Sequence, residues 1–191
     1  MNPTTVLVKN MVCQRCVMAV QAILENGQIP FQKVIFGEIH LKDELNERQK
    51  SYLKTTLGKI GFELIDNHSS GLIEKIKQLV IKRARNEVAD ADRRLKLSEY
   101  ITDKVHHEYT YLSSLFSGVE GRTIENYFIE QRIERAKELL IYDQLTLSEI
   151  AFELEYSSSA HLSSQFKKIT GLTPTYFKEI GSAKRKALDE I

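Results

Sequence analysis

The chain has 191 residues, 42% of them hydrophobic and 28% charged, which suits one or two compact domains and excludes a disordered chain. No apolar run approaches the roughly 20 residues of a membrane span, and MNPTTVLVKN lacks a basic stretch followed by an apolar one, so a cytoplasmic protein with no membrane partner is expected. The net charge is +1, and from Arg93 onward fourteen Lys and Arg meet fifteen Asp and Glu, which argues against a nonspecific polyanion binder.

A DNA-binding surface in this chain must therefore segregate its basic residues on one face. An enzyme is not expected. Nothing pairs a nucleophile with a base, cradles phosphate in a glycine loop or gathers carboxylates for a metal.

From the amino terminus, Thr5 to Lys9 alternates β-branched and polar residues, as a strand with one buried face does. Val17, Val20, Ala22, Ile23 and Leu24 then mark a helix ending near Asn26-Gly27. Phe31 to Leu41 reads as two strands turning at Gly37. Leu45 to Leu57 follows as a helix with Leu53 and Leu57 inward, and Phe62 to Ile65 as a last short strand. The order βαββαβ over residues 1–66 predicts a ferredoxin-like domain within an α+β protein.

The chain's two cysteines, Cys13 and Cys16, fall between the first strand and first helix. Two thiols at this spacing can share one soft metal ion, and a helix amino terminus favours the thiolate. The same pattern serves redox chemistry, and two ligands do not complete a tetrahedral zinc site. Met11-x-Cys13-x-x-Cys16, with Gly61-Phe62 before the last strand, resembles the heavy-metal-associated domains of copper chaperones and copper-transporting ATPases over about residues 5–66. The resemblance implies Cu(I) or another soft metal ion held by Cys13 and Cys16, with Met11 as a buried packing residue. The family's Gly-Met-Thr-Cys opening is Asn10-Met11-Val12-Cys13 here, so a fold kept without metal binding stays open.

Residues 67–93 read as a linker and connecting helix. Asn67 to Gly71 is a polar break, with His68 a solvated histidine rather than a third ligand. Leu72 to Val88 forms an amphipathic helix whose stripe of Leu72, Ile73, Ile76, Leu79 and Val80 either docks the domains or pairs two chains as a homodimer. Lys82-Arg83-Ala84-Arg85 reads as a solvated face of that helix.

Residues 94–180 read as all-α. Leu97, Tyr100, Ile101 and Val105 line one helix, His106-His107 mark a turn, and Tyr111, Leu112, Leu115 and Phe116 anchor a second helix. Ile124 to Tyr142 is a longer helix. Ile150, Ala151 and Leu154, then Leu162, Phe166 and Ile169, repeat the two-helix pattern around a turn, with Ser157 to Ser159 supplying the helix cap and Ala151 the close crossing.

Ala151, Glu155-Tyr156-Ser157-Ser158, His161-Leu162-Ser163, Phe166-Lys167-Lys168, Gly171, Thr173-Pro174 and Phe177 resemble, at fixed spacings, the signature of the AraC/XylS transcription regulators. Glu155 stands where that family places a turn glycine, so a left-handed residue with a side chain is expected there. Tyr111-Leu112-Ser113-Ser114-Leu115-Phe116 resembles the same family's first helix-turn-helix unit, and Arg132, Ala136, Leu139 and Leu140 its linker helix.

The resemblance implies a cytoplasmic regulator that binds double-stranded DNA through a double helix-turn-helix, with RNA polymerase a further candidate partner. The reading residues it points to are Ser158, Ser159, Ala160, Ser163, Ser164 and Lys167 in the second unit. In the first, a weaker reader, they are Tyr109, Thr110, Ser113 and Ser114. The basic tail from Gly181 to Lys186 is expected near phosphate. The competing expectation is a cytosolic copper buffer or chaperone whose helical half recruits a protein.

Overall fold

The computed structural model describes residues 4–11, 13–142 and 144–180. The basic tail from Gly181 lies outside them. Two compact units divide the chain, Met1–Lys77 with Ile101–Ile124, and Gln78–Tyr100 with Glu125–Ile191. The units interleave, where the sequence reading drew serial divisions at residues 66 and 93.

In the first unit β1 (Thr4–Lys9), α1 (Gln14–Asn26), β2 (Phe31–Ile35), β3 (Glu38–Leu41), α2 (Glu47–Lys59) and β4 (Glu63–Leu64) follow in order. The strands form a small antiparallel sheet of order β2-β3-β1-β4. Val6 pairs with Ile39 and Val8 with Leu64, and Gly37 takes φ +76 between β2 and β3 as the sequence turn requires. Val8, Ile39 and Leu41 of the sheet pack with Leu24, Leu53 and Leu57 of the helices, all buried. The Asn46 side chain and Gln49 close a capping box that starts α2.

The same unit holds residues 101–105 of α5 (Leu97–Val105) and all of α6 (Tyr109–Glu120). Ile101 and Val105 are buried with Leu112, Phe116 and Val119, and His106 turns the chain at φ +59. Gly121, at φ +68, ends α6.

Asn67 to Gly71 is not a break. It is the first turn of α3 (Asn67–Ala84), started by the Asp66 carboxylate, which accepts the Ser69 N–H at 2.7 Å. That bond, foremost, holds the Asp66 carboxyl below its ordinary value. The helix stops short of Val88 because Asn86 takes φ +62, and a short α4 (Asp90–Arg93) that no apolar periodicity announces follows. Leu72, Ile73, Ile76 and Val80 of the apolar stripe are buried.

The second unit is built on α7 (Ile124–Tyr142, entered at its second residue), α8 (Leu147–Glu153) and α9 (Ser159–Thr170), with residues 174–180 again helical. Ile133, Ala136 and Leu140 of α7 pack with Ile150, Ala151, Leu162 and Phe166. Ala151 is 2% exposed, as a residue at a close helix crossing must be, whereas Ile169, read as core, is 39% exposed. No described helix is long and apolar enough to cross a membrane.

Candidate nucleic-acid interface

The second unit presents α9 from a turn that is held on several sides. Thr146 starts α8 with a capping box, its hydroxyl accepting the Glu149 N–H while Glu149 accepts the Thr146 N–H at 2.6 Å. The Thr146 hydroxyl donates to the same carboxylate at 2.7 Å, and these two bonds hold the Glu149 carboxyl below its ordinary value.

After α8 the chain turns at Glu155, whose φ of +56 is the left-handed value expected from the sequence resemblance, which places a turn glycine there. The side chain that glycine would lack is used here. One Glu155 carboxylate oxygen lies 2.8 Å from Arg83 Nη1, and the other accepts from Arg93 Nε at 3.2 Å. Arg83, in the run read as a solvated face, is only 8% exposed, and its Nη2 also donates to the Arg93 carbonyl at 2.7 Å. Arg85 is engaged too, donating to Glu138 at 2.5 Å. The solvated-face reading holds for Lys82, which is exposed, and is corrected for Arg83 and Arg85, because the turn and α7 supply carboxylates to these guanidiniums.

Asn86 Nδ2 donates to the Glu153 carbonyl at 2.7 Å, and Arg132 donates to the Leu154 carbonyl. The Arg132 guanidinium also stacks over the Tyr156 ring, 3.8 Å from its centre. Burial pushes the Arg132 guanidinium below its ordinary value against the pull of Tyr156 and Glu155, and burial raises the Tyr156 hydroxyl.

Ser158 caps α9, accepting the His161 N–H at 3.1 Å, and the Tyr156 ring meets His161 edge-on at 5.3 Å. Leu162 and Phe166 fix the inner face of α9. Outward, Ala160, Ser164 and Lys167 are exposed, and Ser159 and Ser163 are half-buried. The Ser163 hydroxyl donates to the Ser159 carbonyl at 2.8 Å, so toward a ligand it offers only an acceptor.

The corresponding residues of α6 match those of α9 in exposure, Ser114 being exposed like Ser164. Thr110 is exposed and Tyr109 and Ser113 are half-buried, while Ser114 lines a cleft of about 230 Å³ with Lys9, Glu63, Asp66, Ser69 and Tyr111. All of these belong to the first unit.

Cys13 precedes α1 with extended backbone and its Sγ lies 3.2 Å from that of Cys16, neither being disulfide-bonded. Met11 is 2% exposed in the core, where the resemblance places it. Asn10 stands where that resemblance expects glycine and takes φ +73, a conformation Asn tolerates better than most side chains. Among the described residues no group of three or more His, Cys, Asp or Glu could hold a metal ion. Two soft donors suit an ion content with two sulfurs, and do not suit a tetrahedral zinc site. His68 is exposed with its ring 5.9 Å from that of His107.

Sequence reasoning missed Arg83, Asn86, Arg93 and Arg132 as supports of the turn. The one available signal was Glu155 itself, since a charged residue at a turn-glycine position has reason to be there only if something binds it.

Residues 101–180 match the family model described as a helix-turn-helix domain. The chain is 38% identical over 74 residues to an uncharacterized HTH-type transcriptional regulator of Pseudoalteromonas carrageenovora, covering 39% of this chain and 43% of that protein. It is 31% identical over 115 residues to the uncharacterized transcriptional regulatory protein YesN of Bacillus subtilis (strain 168), covering 59% of this chain and 30% of that protein. The chain spans less than half the length of these curated relatives. The DNA-binding domain of AdpA, a global transcriptional factor solved in complex with a target DNA, shares the fold at TM-score 0.50 and 16% identity, over 60% of this chain and 96% of that one. Residues 101–180 of the chain thus carry a helix-turn-helix domain.

Proposed function

We propose that this chain is a sequence-specific transcription regulator of AraC type that reads double-stranded DNA through α9. The observation that carries the reading is the pairing of a short polar outer face, Ser159, Ala160, Ser163, Ser164 and Lys167, with a turn clamped by Arg83, Arg93 and Arg132. Small side chains let the helix sit deep in a major groove, where serine hydroxyls and an alanine methyl meet base edges. Ser163 would accept from adenine N6 or cytosine N4, and Lys167 would meet phosphate.

A second reading joins this one through the thiols. The 3.2 Å separation of the Cys13 and Cys16 sulfurs supports a soft-metal or thiol-responsive loop in a ferredoxin-like domain, an assignment that the βαββαβ order and the β2-β3-β1-β4 sheet also support. Cys13 and Cys16 would hold Cu(I) or a similar ion. A ligand there regulates only if it binds two arrangements of the protein with different affinity.

The test is selection of DNA fragments by the purified, reduced full-length protein at physiological salt, with and without Cu(I). One enriched motif supports the regulator, and a copper-dependent yield that disappears in the Cys13→Ser, Cys16→Ser double variant supports the sensor. Copper binding with only nonspecific, steeply salt-dependent DNA affinity would favour a copper buffer or chaperone instead.

A further inference from the structure

We infer that α6 is masked as a reading helix by the chain's own amino-terminal sheet, so that DNA recognition falls to α9 alone while that contact holds. The inference rests on the DNA-binding reading above, and every contact it uses lies within the first compact unit.

The two helix-turn-helix copies make the comparison internal. Aligning Leu112, Phe116 and Gly121 with Leu162, Phe166 and Gly171 pairs Leu115 with Gln165 and Gly118 with Lys168. On α9 Lys168 is exposed and Gln165 half-buried, as on a flank open to a groove. On α6 the same flank has changed character, for Leu115 is 6% exposed and position 118 has lost its side chain.

What lies against that flank explains the change. The Asn10 N–H donates to the Gly118 carbonyl at 2.6 Å. A Cβ on Gly118 would stand 2.5 Å from Lys9 Cε and 2.6 Å from Lys9 Cγ, so the lysine stem lies directly on the bare helix backbone. At the far end of the contact a Cβ on Gly37 would collide with the Val119 carbonyl. Nearer the start of α6, Tyr111 and Ser114 line the cleft that Glu63 and Asp66 also line. The cover thus lies on one flank of α6 toward its last turn, at Leu115, Gly118 and Val119, while Thr110, Tyr111 and Ser114 stay exposed.

A B-DNA major groove is about 12 Å wide and a helix with its side chains about 10–12 Å across, so the groove has no room for a second layer beside the helix. On this flank of α6 lie the Lys9 stem and the Asn10 N–H, and the cleft next to it has two carboxylates, Glu63 and Asp66, among its lining. Asn10, three residues before Cys13, makes the loop that carries the thiols part of this contact.

The experiment is hydroxyl-radical footprinting of the full-length protein on DNA that it selects. Wild type should protect one groove segment. Thr110→Ala and Ser114→Ala should leave affinity within about twofold, while Ser164→Ala and Lys167→Ala each weaken it about tenfold. Gly118→Lys, which restores the side chain of the α9 counterpart, or Gly37→Ala at the other end should add a second protected segment about one helical turn away. In either background Ser114→Ala should then weaken binding.

Two protected segments in wild type, with Ser114→Ala as costly as Ser164→Ala, would overturn the mask and leave the regulator standing. Folded Gly118→Lys and Gly37→Ala proteins that still protect one segment would overturn it equally. If neither variant folds, the alanine comparison in wild type decides. No specific protection by wild type would sink the DNA-binding reading and the mask together.

Discussion

Glu155 and Arg83 meet at 2.8 Å, and the acid that makes this pair holds a backbone angle of φ +56 to do so. A side chain in that conformation costs roughly 1 kcal/mol relative to glycine. Arg83 is 8% exposed and has little water to fall back on, so removing its partner would leave a buried charge without a carboxylate. Glu155, a third exposed, is partly screened, which moderates the gain.

Two variants separate these terms. Glu155→Ala removes the pair and keeps the strain, and should lower unfolding stability by about 2 kcal/mol. Glu155→Gly also removes the pair but relieves the backbone, so it should lose about 1 kcal/mol less. Urea unfolding of both measures the difference. Equal losses would mean that the turn carries no strain at this position.

Thr146 and Glu149 give a pH-dependent cap. The Glu149 carboxyl sits below its ordinary value, first through the Thr146 hydroxyl and then through the Thr146 N–H. A depressed carboxylate stabilises the fold above its unfolded pKa, and that stability is lost as pH falls through the folded value. Thr146→Ala should cost about 1 kcal/mol near neutrality. The gap to wild type should narrow as pH falls below the ordinary carboxylate range, and a gap that widens toward acid would refute the assignment.

How much of this the sequence discloses depends on the range of the interaction. The strand order over residues 1–66, both turn glycines after α6 and α9 and the burial of Ala151 are local: each follows from periodicity or from one backbone angle. The left-handed angle at Glu155 was legible for the same reason, as a side chain standing at a glycine position. The partners of Glu155 were not. Arg83 and Arg93 lie more than sixty residues away in sequence, and a basic run looks the same whether solvent or a carboxylate faces it. The packing of α6 was out of reach in another way. Its serines match those of α9, and only Leu115 and Gly118 record that the sheet lies against that helix.

Ala151 marks the α8–α9 crossing. It is 2% exposed within the cluster that contains Ile150, Leu162 and Phe166. Ala151→Leu should overpack the crossing and cost about 1–3 kcal/mol, with DNA affinity falling as α9 shifts. Thermal unfolding and DNA titration check the two effects. Unchanged stability would show that the helices part easily, and that a small residue is not what sets their approach.

Arg132 tests whether the turn is held by charge or by shape. Its guanidinium lies 3.8 Å from the centre of the Tyr156 ring while it donates to the Leu154 carbonyl, and no side chain but a flat, multiply donating one can do both. Arg132→Lys preserves the charge that draws on Glu155 but replaces the plane with a compact, strongly hydrated ammonium. If shape matters, the variant should lose about 1–2 kcal/mol of stability. On the proposed function it should also weaken specific DNA binding more than nonspecific binding, because the turn that carries α9 loosens while the exposed Lys167 and Lys168 keep their charge. If charge alone matters, Arg132→Lys will behave as wild type in both assays and Arg132→Met will not. The ratio of specific to nonspecific affinity at fixed salt, measured for the two variants, separates these outcomes.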